Sequence, residues 1–314
     1  MKILYRAVLV SISLNVGIIY ADNVIPGSPA WSTPVRGETS EIVGDESKVF
    51  SFPGSIKKYT QAEIDNKFEA PDWREGDHEA MPSIVKFGKK PKVWACASCH
   101  LSTGAGHPES STLVGLTADY IVQQLNNFSD GSRLDYSGHM NRMAPLMTQK
   151  EKTDAANWFA SLKPSAFIDV IETDSVPVTY VDDTRMRLVV EGGGLEPING
   201  RVIEVPENFE VVKLRAPEGR FLSYVPKGAI LRGKQIVTTG GGKVAPCTAC
   251  HGADLKGTSI APSIAGNFAI YTVRQLHGFK SGVRKSVEMA PMAAGLNDND
   301  IVDVAAYLAS LNPG

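Results

Sequence analysis

The chain has 314 residues, of which 43% are hydrophobic and 21% charged, and its formal net charge is −2. These fractions are close to globular averages, so the composition excludes a disordered chain and a membrane-embedded helical bundle. The small net charge does not favour nucleic acid as a partner. The length predicts about two domains of ordinary size.

The first residues have the pattern of a targeting segment. Lys2 and Arg6 give a positive start, and the uncharged stretch of residues 7–20 ends near Ala21, a suitable cleavage position. The stretch is too short to span a bilayer. We therefore predict a signal peptide over residues 1–21, export to a bacterial periplasm and no membrane span once the signal is removed. An uncleaved anchor or a buried helix is the alternative.

Residues 22–79 combine many Pro, Gly and Ser residues with scattered aromatic side chains. This composition predicts an N-terminal arm that wraps the first domain. The sequence GKKPK at Gly88–Lys92 then puts three lysines just before the first cysteine. These lysines form either a docking patch for an acidic partner or a solvated helix end.

The motif Cys-x-x-Cys-His occurs twice in the chain. Its members are Cys96, Cys99 and His100 in the first copy and Cys247, Cys250 and His251 in the second. Two thiols three positions apart can add to the vinyl groups of one haem, and the adjacent imidazole then faces the iron. We predict two covalently attached haem c groups, each with the histidine of its motif as an axial ligand of the iron.

Zinc binding and dithiol redox chemistry also use Cys-x-x-Cys. A zinc site usually has its second pair after ~15 to 20 residues, whereas 147 residues separate Cys99 from Cys247. A thioredoxin-like pair belongs to a strand–helix–strand unit, which the residues before Cys96 do not indicate. The spacing also argues against the two disulfides that an exported chain would otherwise be expected to form.

An internal repeat surrounds the two motifs. The sequence YIVQQLNNFSDGSR at Tyr120–Arg133 matches YTVRQLHGFKSGVR at Tyr271–Arg284 with the same offset of 151 residues that relates the cysteines. Apolar residues at three-residue steps predict a helix in both. A helix is also predicted before each motif, with Gly88 or Gly233 at a close helix crossing or at a turn. Further on, a MAP sequence precedes a last helix that is closed by proline.

The residues between the repeats, 165–227, have a different pattern. Short β-branched runs are broken by Gly, Pro and Asn; they are PVTYV, RMRLVV, RVIEVP, EVVKLR and FLSYVP. These runs predict strands, and the segment is too long for a plain linker. We predict a small β-rich connector, which serves as a spacer between the haems or as a surface for a partner.

This order of elements resembles the class I cytochromes c, and in particular their two-haem tandem members. The resemblance covers about residues 80–164 and 228–314. It implies a mainly α fold, with two tandem helical cytochrome c domains joined by the β-rich connector. It also implies that a methionine before the last helix is the second axial ligand, and that Trp158 or Tyr307 on the last helix packs against the first helix.

The methionine ligands are selected by the MAP sequences. In the second domain Met289 opens this sequence and is the predicted ligand, with Met292 as the alternative. The first domain is less regular, because three residues are missing between its MAP sequence and the last helix. The MAP sequence selects Met143, which is the predicted ligand, whereas counting back from Trp158 selects Met140 as the alternative. The other candidates are Met147, His107 and His139.

The resemblance also indicates the partners of the haem ligands. It points to the carbonyl of Pro262 as the acceptor for the ring of His251, and Ser111 occupies the equivalent place in the first copy. Arg133 and Arg284 end the matching helical segments. Each either pairs with a haem propionate or is an ordinary surface arginine.

The favoured function is that of an electron carrier between a donor protein and an acceptor protein, because the sequence shows no other catalytic constellation. The first alternative is a di-haem peroxidase-type enzyme, in which one iron is open and His107 or Glu109 acts as the acid or base. The second is a cytochrome subunit docked on a dehydrogenase or an oxidase, with the connector as its adaptor.

Overall fold

A computed structural model describes residues 25–35 and 47–314 of the chain. The predicted signal peptide therefore lies outside the described residues. Helices form both repeats, and short strands form small sheets in the arm and in the connector. The expectation of a mainly α chain holds for the repeats but not for the other segments. None of the helices in the described part of the chain is long and apolar enough to cross a bilayer.

The N-terminal arm contacts the connector and the second repeat as well as the first repeat. Ala70 belongs to the core of the first repeat, whereas Nε1–H of Trp73 donates to the Leu214 carbonyl of the connector at 2.8 Å. A 3₁₀ turn at Ala30–Ser32 places Trp31 against the core of the second repeat. The elements of the arm are β1 (Val49–Ser51), its antiparallel partner β2 (Lys58–Thr60) and α1 (Gln61–Ile64).

The first repeat contains five helices with clear local start and stop signals. They are α2 (Ser83–Lys86), α3 (Ala97–His100), α4 (Ala118–Asp130), α5 (His139–Met143) and α6 (Gln149–Ser161). The Thr117 side chain caps the start of α4, and Gly131 ends that helix in the left-handed conformation. Thr148 and Glu151 form a capping box at the start of α6. Phe159 of α6 is fully buried in the core of this repeat.

The connector forms three small sheets and one short helix. Its elements are β3 (Ile168–Thr173), β4 (Ser175–Pro177), β5 (Thr179–Val181), β6 (Arg187–Val189), β7 (Leu195–Pro197), β8 (Ile203–Pro206), α7 (Phe209–Lys213) and β9 (Phe221–Pro226). β9 is the central strand of the largest sheet, where it runs parallel to β3 and antiparallel to β8. β4 pairs with β7, and β5 pairs with β6.

The predicted strands of the connector are confirmed except for EVVKLR, which forms α7. That prediction was wrong because the Asn208 side chain accepts a hydrogen bond from the Val211 N–H at 3.3 Å and so caps a helix start. The pattern gave no indication of β3 and β7.

The second repeat has the same order of helices as the first. They are α8 (Ala229–Thr239), α9 (Thr248–His251), α10 (Ala269–Ser281), α11 (Met289–Ala294) and α12 (Asp298–Ala309). α8 and α12 cross at Gly233, where a Cβ would lie 1.9 Å from the Asp303 carbonyl oxygen and 2.9 Å from the Tyr307 Cβ. This confirms the predicted close crossing and the packing of Tyr307 in the second repeat.

In the first repeat Gly88 takes the other predicted role, that of a turn. α2 is a single helical turn that ends at Lys86, and Gly88 lies in a turn with a φ of +63°. A Cβ at Gly88 would lie 2.4 Å from the Val93 carbonyl oxygen, so the space is filled by the chain folding back on itself. Trp158 lies in the same buried core as Ile84 and Val85 of α2, as predicted, and it donates from Nε1–H to the Glu79 carbonyl at 2.9 Å, just before α2.

The two repeats meet directly at the ends of α4 and α10, both of which have 13 residues as the repeat predicted. Arg133 and Arg284 form an isolated antiparallel bridge. Beside it, the Leu134 N–H donates to the Val283 carbonyl at 2.8 Å. The repeats are therefore held at a defined position relative to each other.

Candidate haem sites

The first Cys-x-x-Cys-His motif forms the single-turn helix α3. The ring Nδ1 of His100 donates to the Ser111 carbonyl at 2.8 Å, which leaves Nε2 as the basic nitrogen. Burial lowers the pKa of His100, so the ring is neutral at physiological pH. A neutral imidazole with this fixed orientation can bind a metal ion through Nε2.

The second motif has the same geometry in α9. The ring Nδ1 of His251 donates to the Pro262 carbonyl at 2.7 Å, which confirms the predicted hydrogen bond. Burial lowers the pKa of His251 as it does for the first copy. Both histidines therefore present the same nitrogen to a bound group.

The four cysteines are free thiols, so neither motif forms a disulfide. Burial raises the pKa of the Cys96 thiol to about 12 and also raises the pKa of Cys247. A dithiol redox site instead uses a cysteine whose pKa lies below the usual value. The first thiol of each motif thus lacks the environment of a redox-active thiol, and Cys250 of the second motif is exposed.

A cavity of 1320 Å³, called the first cavity here, adjoins the first motif. Cys96, Cys99 and His100 line it, together with Met140 and Met143 on the α5 side. The cavity brings two thiols, one imidazole nitrogen and thioether sulfurs to a single space. This set of groups and the size of the cavity fit a large planar cofactor attached through the cysteines.

Met140 and Met143 differ in what their sulfur atoms contact. Met143 is 8% exposed, and its sulfur accepts a hydrogen bond from the Trp94 backbone N–H at 3.3 Å. Met140 is half-buried, and Met147 also lines the cavity. In the second repeat, Met289 is the first residue of α11 and is half-buried.

The caps of the last helices relate the methionines of the two repeats. Met289 lies eight residues before Asn297, which caps α12. Eight residues before Thr148, which caps α6, is Met140. By this register Met140 is equivalent to Met289, and Met143 is equivalent to Met292.

His107 and His139, the other candidate ligands, both line the first cavity. Burial lowers the pKa of His107 to about 3, with a further contribution from the charge of Arg215. Burial also lowers the pKa of His139 to about 4, and its ring centroid lies 4.8 Å from that of Trp94. Both rings are therefore neutral parts of the cavity wall.

Arg133 and Arg284 are not surface arginines, since they are 6% and 8% exposed. Each binds the tyrosine of the opposite repeat: Arg133 donates to Tyr271 Oη at 3.0 Å, and Arg284 donates to Tyr120 Oη at 2.6 Å. Gln124 and Gln275 accept further hydrogen bonds from both guanidinium groups. Burial lowers the pKa of Arg284, and the two positive charges lower the pKa of Tyr271 against the opposing effect of burial.

Each of these arginines also borders a cavity. Arg133 lines the first cavity, and Arg284 lines a smaller cavity of 410 Å³ beside α11. The hydrogen-bond partners described above are neutral groups. Both guanidinium groups therefore keep their positive charge available to an anion in the neighbouring cavity.

Sequence reasoning missed the buried cluster around Arg274 of α10. This residue is 2% exposed and donates to the Ser32 carbonyl of the arm at 3.0 Å. Its guanidinium lies 3.6 Å from Glu109 and 4.8 Å from the Tyr136 ring centroid, and Tyr136 donates a short hydrogen bond to Glu109. One signal for this cluster is present in the repeat, which aligns Arg274 with an uncharged glutamine, Gln123.

Comparisons with known proteins agree with this geometry. The Cytochrome c family model matches residues 230–312. Cytochrome c-554(548) of Halomonas halodenitrificans is 42% identical over 72 residues, which are 22% of this chain and 87% of that protein. Cytochrome c4 of Pseudomonas aeruginosa is 45% identical over 74 residues, which are 23% of this chain and 36% of that protein.

A thiosulfate dehydrogenase electron acceptor of Stutzerimonas stutzeri is 42% identical over 83 residues, which are 25% of this chain and 38% of that protein. The chain thus matches most of the small cytochrome c-554(548) but little more than a third of the length of the other two relatives. The chain belongs to the cytochrome c family, as a tandem two-haem member whose cofactors are covalently bound haem c groups containing iron.

Proposed function

We propose that the chain is a periplasmic electron carrier with one haem c in each repeat. Cys96 and Cys99 would attach the first haem, and Cys247 and Cys250 the second. His100 and His251 would be the axial ligands on one face of each iron. The domain boundaries of this proposal are those of the sequence: an arm over residues 22–79, cytochrome c domains over residues 80–164 and 228–314, and the connector between them.

The observation that carries the proposal is the repetition of one ligand geometry in a single chain. In both motifs the ring Nδ1 is held by a backbone carbonyl, so Nε2 is oriented by the protein. Bound haem iron supplies a one-electron couple between its ferric and ferrous states. The residues of the chain would attach the cofactor, exclude water and hold each histidine ring in place.

Methionine on the opposite face would close the coordination of each iron and raise its reduction potential. Met289 is the proposed ligand in the second repeat. In the first repeat the helix-cap register supports Met140, and the hydrogen bond from Trp94 to the sulfur of Met143 occupies one of its lone pairs. We therefore propose Met140, with Met143, which the MAP sequence selects, as the alternative.

The buried arginines at the contact between the repeats would serve both haems. Arg133 lines the cavity beside the first motif, so a propionate of the first haem could pair with it. Arg284 borders a smaller cavity between α10 and α11, which the residues of the second motif do not line, and its pairing with a propionate of the second haem is proposed from the repeat. Each arginine also binds the opposite repeat. The same groups fix the relative position of the repeats. This arrangement supports electron transfer from one haem to the other within a rigid molecule.

Optical spectroscopy and potentiometry of the purified protein test the proposal. We expect a pyridine haemochrome value of two haem c per chain, two one-electron midpoint potentials, and a weak methionine-to-iron band in the oxidised protein. Carbon monoxide should not bind readily to the reduced protein. Ready binding at one iron, together with turnover of peroxide in the presence of a reduced donor, would favour the di-haem peroxidase instead.

The names of relatives favour a second, more specific role. One relative is a thiosulfate dehydrogenase electron acceptor, so this chain would take electrons from a dehydrogenase. The exposed lysines of Gly88–Lys92 would then contact an acidic surface of that enzyme. Stopped-flow reduction by a candidate dehydrogenase tests this, because the rate should fall steeply with ionic strength. A rate independent of salt would contradict docking through the lysines.

A further inference from the structure

The connector forms part of the wall of the first cavity. Two of its segments line the cavity: Asp183–Met186, in the turn between β5 and β6, and Val212–Ala216 at the end of α7, apart from Leu214. These segments are about 85 and 115 residues away from His100 in the sequence. A segment that looks like a spacer in the sequence thus reaches the first haem site.

The charge of this wall differs from the charge of the whole molecule. Seven Lys and Arg residues and four Asp and Glu residues line the first cavity. The whole chain has 32 Lys and Arg residues and 34 Asp and Glu residues. One of the four acidic residues, Glu109, already faces the Arg274 guanidinium at 3.6 Å. The cavity is therefore suited to an occupant that carries negative charge.

Two of these cationic residues are connector arginines with unusual backbone conformations. Arg185 has a φ of +72° and Arg215 a φ of +54°, in the left-handed region that residues with a Cβ rarely adopt. Such conformations are unfavourable for a residue with a Cβ and persist where the surrounding structure requires them. Both of them direct the chain so that an arginine borders the cavity.

Arg215 has no carboxylate partner of its own. Among the described residues, no ion pair involves its guanidinium, and its charge acts instead on the buried His107 ring. By contrast, Lys213 pairs with Glu210 at 2.7 Å, and Arg220 pairs with Asp169 at 2.6 Å. The positive charge of Arg215 is thus left for a group inside the cavity.

We propose that the connector provides an anion-binding wall for the first haem, in which Arg185 and Arg215 hold carboxylate or other oxyanion groups. The inference rests on the proposed function, because it requires a haem attached at Cys96 and Cys99. The anion is either a propionate of that haem or a small free oxyanion beside it. In both cases the arginines stabilise the ferrous iron relative to the ferric iron and raise the potential of the first haem.

The test uses the purified two-haem protein and three variants: Arg185→Gln, Arg215→Gln and the control Arg220→Gln. The control removes a connector arginine that forms a surface ion pair and does not line the cavity. Both midpoint potentials are measured by spectroelectrochemistry in sulfate-free buffer and again with added sodium sulfate. The mass of each protein first confirms two haems per chain, so that loss of a haem is detected separately.

We expect Arg215→Gln to lower one of the two potentials and to leave the other unchanged. A tenfold change in the redox equilibrium corresponds to 59 mV for one electron. If the potential of Arg215→Gln is lower in sulfate-free buffer and added sulfate does not change the difference, the anion is a haem propionate. If instead sulfate lowers the potential of the unmodified protein but not that of the variant, the wall binds a free oxyanion. Arg220→Gln should match the unmodified protein in both buffers.

Unchanged potentials in both cavity variants, with and without sulfate, would overturn the inference. If Arg215→Gln does not fold, the inference is tested with Arg185→Gln and Arg215→Lys. Arg185→Gln should lower one potential. Arg215→Lys keeps the positive charge, so its potentials should stay close to those of the unmodified protein. A mass that shows only one haem, located in the second repeat, would instead refute the proposed function and the inference with it.

Discussion

Leu101 and Gly252 follow the histidines of the two motifs in the same backbone conformation. Leu101 has φ 63° and ψ 161°, and Gly252 has φ 87° and ψ 157°. This region of backbone space is almost restricted to glycine, because a Cβ clashes with the main chain there. The first repeat therefore carries strain that the second avoids, at a residue beside the histidine of its motif.

We predict that Leu101→Gly raises the free energy of unfolding by about 1 kcal/mol. Relief of about 1–3 kcal/mol of strain outweighs the larger entropy of glycine in the unfolded chain, which costs about 0.5–1 kcal/mol. Urea unfolding of the haem-loaded protein measures the difference. The reverse change, Gly252→Ala, should lower the free energy of unfolding. A change of the same sign in both variants would contradict the strain argument.

Met140 and Met143 can be distinguished by a pair of substitutions. We predict that Met140→Leu abolishes half of the methionine-to-iron absorption and lowers one midpoint potential, because the thioether ligand is lost. Met143→Leu should keep the absorption band and mainly affect packing, with a loss of stability below about 1.5 kcal/mol. Loss of the band in Met143→Leu alone would assign the ligand to Met143.

At the scale of elements, Glu204 of β8 joins the connector to α10. Its carboxylate accepts hydrogen bonds from the Ala269 N–H at 2.8 Å and the Ile270 N–H at 3.2 Å, at the start of α10. Phe268, the residue at the N-cap position, has no side-chain acceptor to do this. A side chain from another segment thus caps the helix that carries Tyr271.

Burial raises the pKa of Glu204 from 4.5 to about 7 despite these hydrogen bonds. The folded protein holds this proton more tightly than the unfolded chain, so its contribution to stability is complete below pH 4.5 and is lost as the pH rises through about 7. The size of the loss is about 3 kcal/mol. We predict that Glu204→Gln removes this decrease between pH 5 and pH 8.

Urea unfolding at several pH values measures that decrease. Glu207→Gln is the matched control, because Glu207 is an exposed carboxylate just beyond the same strand, within 3.5 Å of Arg220. The control should keep the pH dependence of the unmodified protein. Equal slopes for Glu204→Gln and the unmodified protein would show that Glu204 does not titrate in this range.

The crossing of α8 and α12 depends on the absence of a side chain at Gly233. A Cβ there would lie 1.9 Å from the Asp303 carbonyl oxygen, which is backbone and has little freedom to move. We predict that Gly233→Ala lowers the free energy of unfolding by about 3 kcal/mol or more, as expected for severe overpacking. Thermal unfolding tests this against Gly76→Ala, where no atom lies within 4 Å of the added Cβ.

For the whole molecule, the decisive feature is the contact between the repeats. Tyr120 and Tyr271 each accept a hydrogen bond from the arginine of the other repeat. Hydrogen bonds to charged groups contribute about 1.5–3 kcal/mol each. The pair of bonds therefore accounts for an appreciable part of the coupling between the two haem-binding units.

We predict that the double substitution Tyr120→Phe with Tyr271→Phe uncouples the unfolding of the two repeats. Calorimetry should then resolve two transitions in place of one, with the less stable repeat unfolding first. Tyr180→Phe is the control, because this tyrosine lies at the surface of β5 and is 38% exposed. A single unshifted transition in the double variant would show that other contacts hold the repeats together.

The sequence by itself determined the local features of this protein. The cysteine spacing predicted the attachment motifs, the repeat predicted the equivalent helices α4 and α10, and the family resemblance predicted the hydrogen bond from His251 to Pro262. Each of these features depends on residues that are close together in the chain. Helical periodicity and motif spacing are sufficient for that range.

Only the tertiary structure decided what surrounds the haem sites. The burial of Arg133 and Arg284, the cluster around Arg274 and the connector arginines at the first cavity all join residues that are far apart in the sequence. Local patterns carry no record of which distant segment packs against a site, because that choice follows from burying apolar surface over the whole chain. The sequence therefore predicts the chemistry of the two proposed haem sites, and the packing of the arm and connector determines their electrostatic environment.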